Sequence, residues 1–133
     1  MKHVLVVEDD PHNAVLFRKL LERRGGFRVT VTESADEILR ACESGDLHLV
    51  IMDISLANTR HDGEALGGVE LCRMIKRNPA TSHIPVILAT AHAMRGDAEE
   101  LLTESGADDY VAKPIIDHEA FIHQVKAMLA EAA

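Results

Sequence analysis

At 133 residues the chain has the length of one ordinary domain, so we expect a single domain spanning residues 1–133. Its 14 Lys and Arg residues against 22 Asp and Glu residues give a formal net charge of −8, which disfavours direct binding to nucleic acid or to an anionic membrane. The two cysteines lack metal-ligand spacing and the N-terminal apolar run is short, so we expect a cytoplasmic protein with reduced thiols and no membrane insertion.

The predicted elements alternate between strands and helices along the chain. Short apolar runs such as VLVV and LVIM lack alternation, which is typical of parallel strands covered on both faces. RVTVT alternates and YVA is short, so these two are predicted at the sheet edges. In chain order the predicted strands are 4–7, 28–32, 49–52, 86–89 and 110–112, and the predicted helices are 10–24, 34–44, about 69–76, about 94–104 and 117 onward.

Capping residues support the helix boundaries. Asp10 followed by Pro11 is typical of a helix start, and the pair Ser34 and Glu37 matches a capping box. Glycines follow the predicted ends of the first, second and fourth helices. Five strands alternating with five helices predict an α/β fold, a flavodoxin-like (βα)5 doubly wound parallel sheet with strand order 2-1-3-4-5.

Acidic residues follow the first and third predicted strands. Glu8 and Asp9 come directly after VLVV, Asp53 comes directly after LVIM, and Asp10 is assigned to the helix cap. In this fold, ligands bind at the carboxyl ends of strands one and three, so these acids should converge. Two carboxylates about 5 Å apart repel by roughly 3 kcal/mol at an effective dielectric near 20. A hard divalent cation is the simplest compensation, and Mg²⁺ is the best match to carboxylate oxygens.

The same sheet edge should receive a hydroxyl and an ammonium group. Thr90 comes directly after the fourth predicted strand, and Lys113 comes just after the fifth. Each residue also has an ordinary structural interpretation: a solvated acidic run, a turn aspartate, a β-branched strand residue or a surface lysine. The convergence of the whole set favours a functional site.

Four motifs, each at a strand end, resemble one family over essentially the whole chain. They are VLVVEDDP, LVIMDIS, ILATAHA and YVAKP, and together they resemble a response-regulator receiver domain. The length and the segment ATAHAMRGD are similar to stand-alone receivers of the DivK type. The resemblance implies a protein that accepts a phosphoryl group from a phosphohistidine on a sensor histidine kinase or a histidine phosphotransfer protein.

The resemblance also implies a role for each matching residue. A cis bond between Lys113 and Pro114 is implied. From their positions two residues after Asp53 and Thr90, Ser55 and His92 are candidates for setting the lifetime of the phosphoryl group. The assigned roles are Asp53 as phosphoacceptor, Thr90 and Lys113 as its catalytic partners, Glu8, Asp9, Asp53 and the backbone carbonyl of Ser55 as Mg²⁺ ligands, and Thr90 and Tyr110 as switch residues. Phosphorylation would then repack the face formed by the fourth helix, fifth strand and fifth helix, to which a downstream protein target would bind.

The segment 54–68 departs from the family pattern. Ala57 stands where the family commonly has a proline, and the glycine pair before VEL arrives about seven residues late. We interpret the segment as an extended surface loop, either a mobile lid or binding element or a neutral length variant.

Two other functions stay open from the sequence. A phosphorylation-independent receiver would be a protein-interaction module that does not use Asp53. An aspartate-nucleophile phosphatase is disfavoured because Ser55 stands where the second acid would act as general acid. Flavin binding is disfavoured because no glycine-rich phosphate loop follows the first strand.

Overall fold

Five strands form one parallel sheet with helices on both faces. The computed structural model describes residues 1–54, 60–61, 64–65, 67–91 and 97–132, with no side-chain description for 60–61, 64–65, 97–98 and 132. The strands are β1 (His3–Val7), β2 (Arg28–Thr32), β3 (Leu49–Asp53), β4 (Val86–Thr90) and β5 (Asp109–Ala112). Their spatial order is β2-β1-β3-β4-β5, which confirms the predicted flavodoxin-like topology.

Four helices connect consecutive strands, and a fifth follows β5. None of them, over the part of the chain that is described, is long and apolar enough to cross a bilayer. The first helix continues beyond its α-helical part as one π-helical turn, Leu20–Arg24, and ends before the predicted glycine pair. The helices are α1 (Pro11–Lys19), α2 (Ala35–Glu43), α3 (Gly68–Arg77), α4 (Asp97–Ser105) and α5 (His118–Ala132).

Strand residues alternate between two apolar cores, one on each face of the sheet. On one face, α1 and α5 cover the strands, and the rings of Phe17 and Phe121 lie 5.7 Å apart between centroids. On the other face, Ile38 of α2 and Leu71 of α3 pack against the strands. Because both faces are covered, the three central strands are buried nearly throughout, which explains their unbroken apolar sequences.

The first two helices are capped by the predicted residues, Asp10 and Ser34, but one side chain has a different hydrogen-bond partner from the one predicted. The Asp10 carboxylate accepts a hydrogen bond from the His12 N–H at 2.9 Å, and the Ser34 hydroxyl accepts one from the Glu37 N–H at 3.3 Å. The Glu37 carboxylate, however, accepts from the hydroxyl of Thr32 at 2.6 Å, and the Ser34 N–H donates to that same hydroxyl oxygen at 3.1 Å. In the predicted capping box, Thr32 therefore stands between the Ser34 N–H and the Glu37 carboxylate, which would otherwise bond to each other directly.

The extended segment between β3 and α3 contains regular structure. Arg60–His61 pairs antiparallel with Glu64–Ala65, forming a short two-stranded ribbon apart from the main sheet. The sequence predicted only a surface loop here. Residues 55–59, 62–63 and 66 lie outside the described residues, as does the predicted start of the fourth helix at Met94.

Gly68, the first residue of α3, lies directly against the end of β3. A Cβ atom built on Gly68 would overlap the backbone carbonyl oxygen of Asp53 and stand 2.8 Å from the Cα of Ile54. At the neighbouring Gly67, the nearest atom to such a Cβ is a carboxylate oxygen of the Glu70 side chain, at 2.9 Å. Gly68 therefore permits an approach between helix and strand that no other residue allows.

Replacing Gly68 by alanine should destabilise the protein although alanine favours helices. We expect Gly68→Ala to lower the free energy of unfolding by about 3 kcal/mol, because the new methyl group meets rigid backbone. Gly67→Ala is the matched control and should cost less than about 1 kcal/mol, since the Glu70 side chain can rotate away. Urea unfolding measures both, and equal losses would contradict the packing argument.

Candidate functional site

Three carboxylates meet at the carboxyl edge of the sheet. Glu8 and Asp9 follow β1, and Asp53 is the last residue of β3, the strand paired beside it. One carboxylate oxygen from each residue lies within 4.8 Å of the other two. Glu8 is 4% exposed and Asp53 is 2% exposed, while Asp9 is half-buried at the mouth of the cluster. The convergence predicted from the sequence is present.

Lys113, which directly follows the edge strand β5, brings its ammonium group to these acids. Its Nζ atom lies 2.9 Å from Oδ1 of Asp53 and 3.3 Å from Oε1 of Glu8. Its backbone N–H donates to the carbonyl oxygen of Thr90 at 2.8 Å, which ties the residue after β5 to the end of β4. The following bond to Pro114 is cis, as the resemblance implied.

Burial and charge shift the titration of this group of side chains. Burial raises the pKa of Glu8 to about 7, and the neighbouring Asp53 carboxylate adds to the shift. Burial alone lowers the pKa of Lys113, but its contacts with Asp53 and Glu8 outweigh that effect and leave the pKa raised. Lys113 is therefore firmly cationic and counterbalances the acids only in part.

One oxygen of the cluster is suited to a ligand that the chain does not itself supply. Oε2 of Glu8 is buried and has no hydrogen-bond partner among the described residues. A buried carboxylate oxygen without a donor is costly unless a cation or water satisfies it. With Asp9 and Asp53 beside it, the donor set is all oxygen, which suits Mg²⁺.

Thr90 and Tyr110 lie on neighbouring strands. Thr90 ends β4 and is fully buried, in register with Ala112 of β5, while Tyr110 is in register with Leu88. Since paired residues of parallel strands project to the same face, Thr90 and Tyr110 share a face and are offset by two residues. Tyr110 is partly buried and packs against the core that α2 and α3 cover.

Two predicted site residues lie outside the described part of the chain, and the structure adds one residue that the sequence did not predict. Ser55 and His92 lie outside the described residues, so their predicted roles stay predictions. Gly68 was not predicted as a site residue, although it packs on the backbone of Asp53. Its signal was the glycine pair that opens the α3 sequence after the extended segment.

The two thiols take no part in this site. Cys42 and Cys72 are buried in the core on the α2 and α3 face, and neither forms a disulfide. Burial raises the pKa of each to about 11, so both are protonated and unreactive near neutral pH.

Comparison with known proteins finds the same family along nearly the whole chain. The family model for the response regulator receiver domain matches residues 4–126 of this chain. The polar-differentiation response regulator DivK of Brucella ovis is 36% identical over 131 residues, covering 98% of each chain. DivK of Brucella anthropi is 35% identical over the same length.

Solved structures give the same result for the fold. The receiver domain of the sensor histidine kinase PA1611 from Pseudomonas aeruginosa, solved with a magnesium ion coordinated in the active site cleft, has a TM-score of 0.79 at 28% identity, covering 97% of this chain and 98% of that one. The signal receiver domain of a histidine kinase from Syntrophus aciditrophicus has a TM-score of 0.80 at 28% identity, covering 98% of this chain and 92% of that one.

Removing one charge from the cluster should stabilise the metal-free protein. Glu8→Gln leaves the contact between Lys113 and Asp53 in place and removes a buried like charge, so we expect unfolding to cost about 1–3 kcal/mol more at pH 8 without Mg²⁺. The control Glu131→Gln removes an exposed charge from α5 and should change stability little. Urea unfolding in the presence of a chelator is the measurement. If the Glu8→Gln protein were no more stable than wild type, repulsion among the three carboxylates would not destabilise the metal-free protein.

Proposed function

Because the chain belongs to the response regulator receiver domain family, we propose that Asp53 is its phosphoacceptor in two-component signalling. One observation carries the assignment: a buried carboxylate ends β3 with an ammonium 2.9 Å away and two further acids beside it. The lysine keeps Asp53 ionised inside the protein, and so nucleophilic. The acids supply the oxygens for a divalent cation.

The proposed reaction is transfer between two protein side chains. A carboxylate oxygen of Asp53 attacks phosphorus, the bond between phosphorus and the histidine nitrogen of the donor breaks, and the imidazole leaves with that electron pair. Lys113 pairs with an oxygen of the transferred group, and the Thr90 hydroxyl donates a hydrogen bond to another. Glu8, Asp9 and Asp53, with the backbone carbonyl of Ser55, would hold Mg²⁺. When bound, Mg²⁺ neutralises charge on the phosphoryl oxygens.

The phosphorylated state would differ from the resting state along β4 and β5. A phosphoryl group on Asp53 draws the Thr90 hydroxyl toward it, and the space vacated allows Tyr110 to move inward. These two residues share one face of the sheet, and Tyr110 packs against the same core as Leu101 of α4. The surface formed by α4, β5 and α5 would therefore change shape and bind a downstream protein target.

The assignment of Asp53 as phosphoacceptor also implies a phosphodonor, a cellular location and a target for this protein. The phosphodonor would be a sensor histidine kinase or a histidine phosphotransfer protein, and the protein would act in the cytoplasm as a single-domain regulator rather than as an enzyme with its own substrate. Net charge of −8 and the lack of a basic nucleic-acid motif favour a protein target for its output. Ser55 and His92, each two residues beyond a proposed site residue, would modulate the lifetime of the phosphoryl group.

Phosphorylation by a small donor tests the acceptor directly. Incubation with phosphoramidate and Mg²⁺, followed by intact mass measurement, should show one phosphoryl adduct on the wild type. Asp53→Asn, which keeps the shape of the acceptor, should show none, and a chelator should abolish the wild-type adduct. Failure of the wild type to react under these conditions would favour a phosphorylation-independent interaction module. Turnover of added phosphate esters would favour a phosphatase.

The single tyrosine makes the switch measurable without a label. The chain contains one Tyr and no Trp, so intrinsic fluorescence excited in the tyrosine band reports on Tyr110 alone. We expect phosphorylation to change this fluorescence in the wild type and in Thr90→Ser, which keeps the hydroxyl. Thr90→Ala should still be phosphorylated but show at most about half of the change, because the hydrogen bond that displaces residue 90 is lost. An unchanged response in Thr90→Ala would remove Thr90 from the switch.

A further inference from the structure

The backbone of Glu8 is held by the last residue of the edge strand. The N–H of Glu8 donates to the carbonyl oxygen of Thr32 at 3.2 Å, one step beyond the ladder in which Val7 is paired with Thr32. Glu8 and Asp9 are the only residues between β1 and the Asp10 cap of α1. The position of the acidic pair thus depends on where the carbonyl group of Thr32 points.

The side chain of Thr32 is fixed by two hydrogen bonds from the corner between β2 and α2. Its hydroxyl donates to the carboxylate of Glu37 at 2.6 Å and accepts from the N–H of Ser34 at 3.1 Å. Thr32 is 8% exposed, so water reaches this hydroxyl poorly. A short bond to an ionised carboxylate is among the stronger hydrogen bonds in proteins. The first turn of α2 therefore holds Thr32, and Thr32 holds Glu8.

We propose that Thr32 is a positioning residue for the Glu8 and Asp9 pair, and that through it the first turn of α2 sets the affinity of the site for Mg²⁺. The inference rests on the proposed metal site and goes beyond it, since Thr32 contacts neither the cation nor the phosphoryl group. An ordinary capping box would have bonded Glu37 back to Ser34 and left the strand end unsecured. Insertion of the threonine hydroxyl links helix α2 to the end of β2, whose Thr32 carbonyl holds the backbone of Glu8.

The test is the Mg²⁺ affinity of metal-free protein, measured by calorimetric titration with magnesium chloride at fixed ionic strength. Thr32→Val keeps the branched shape and the charge but removes the hydroxyl, and Thr32→Ser restores it. Mutation of a residue that hydrogen-bonds to a metal ligand typically lowers metal affinity about 10–100-fold. Because Thr32 holds the backbone of Glu8 rather than its carboxylate, we expect Thr32→Val to weaken Mg²⁺ binding less, by about threefold to tenfold. Thr32→Ser should stay within about twofold of wild type.

A control on the same helix separates positioning from loss of stability. The Ser44 hydroxyl donates to the carbonyl of Ala41 at the other end of α2, so Ser44→Ala weakens the helix without touching the corner. It should lower the unfolding temperature but leave Mg²⁺ affinity within about twofold. Equal weakening of binding in Ser44→Ala and Thr32→Val, or unchanged binding in Thr32→Val, would overturn the inference.

A second measurement does not depend on the metal. Amide hydrogen exchange in metal-free protein should be faster at Glu8 in Thr32→Val than in wild type, relative to the amides of β3. Unchanged exchange at Glu8 would overturn the inference even if the wild type bound no Mg²⁺. Absence of Mg²⁺ binding by the wild type, with faster exchange at Glu8 in the variant, would instead count against the proposed metal site while leaving the positioning role intact.

Discussion

The structure depends on an unequal balance of charge at one edge of the sheet. Among the described residues, three carboxylates lie close to one ammonium group, and two of these carboxylates, those of Glu8 and Asp53, are almost completely buried. In such an environment charge interactions are stronger than in water, so the imbalance must be maintained by the rest of the fold. The raised pKa of Glu8, and the lack of a hydrogen-bond partner for its Oε2 among the described residues, are two consequences of the same arrangement. A cation bound in the cluster would offset both.

The sheet supplies the framework that holds this balance. Parallel strands place all their carboxyl ends at one edge, and crossover connections bring β1 and β3 side by side although 41 residues separate the ends of the first and the start of the second. Two buried cores fix the strands from both faces, so the acids cannot relax apart without disturbing packing. Close contact of Gly68 with the end of β3 adds a further restraint on Asp53.

Much of this could be predicted because it depends on local pattern. Unbroken apolar runs located the three central strands to within one residue, and the residue types at the strand ends predicted that Glu8, Asp9, Asp53 and Lys113 lie close together, as they do. Features that depend on three-dimensional contact were missed. The π-helical turn after α1, the ribbon between β3 and α3 and the place of Thr32 in the corner before α2 leave no periodic signature. Each is decided by neighbours distant in sequence or by hydrogen bonds that several residues could have made.

The bond from the Lys113 N–H to the Thr90 carbonyl joins two side chains of the pocket through the main chain. Under the proposed phosphorylation of Asp53, a displacement of Thr90 would therefore also move the backbone of Lys113. Loss of the phosphoryl group would let the Lys113 ammonium pair again with Asp53, and this ion pair would return the ends of β4 and β5 to their resting positions.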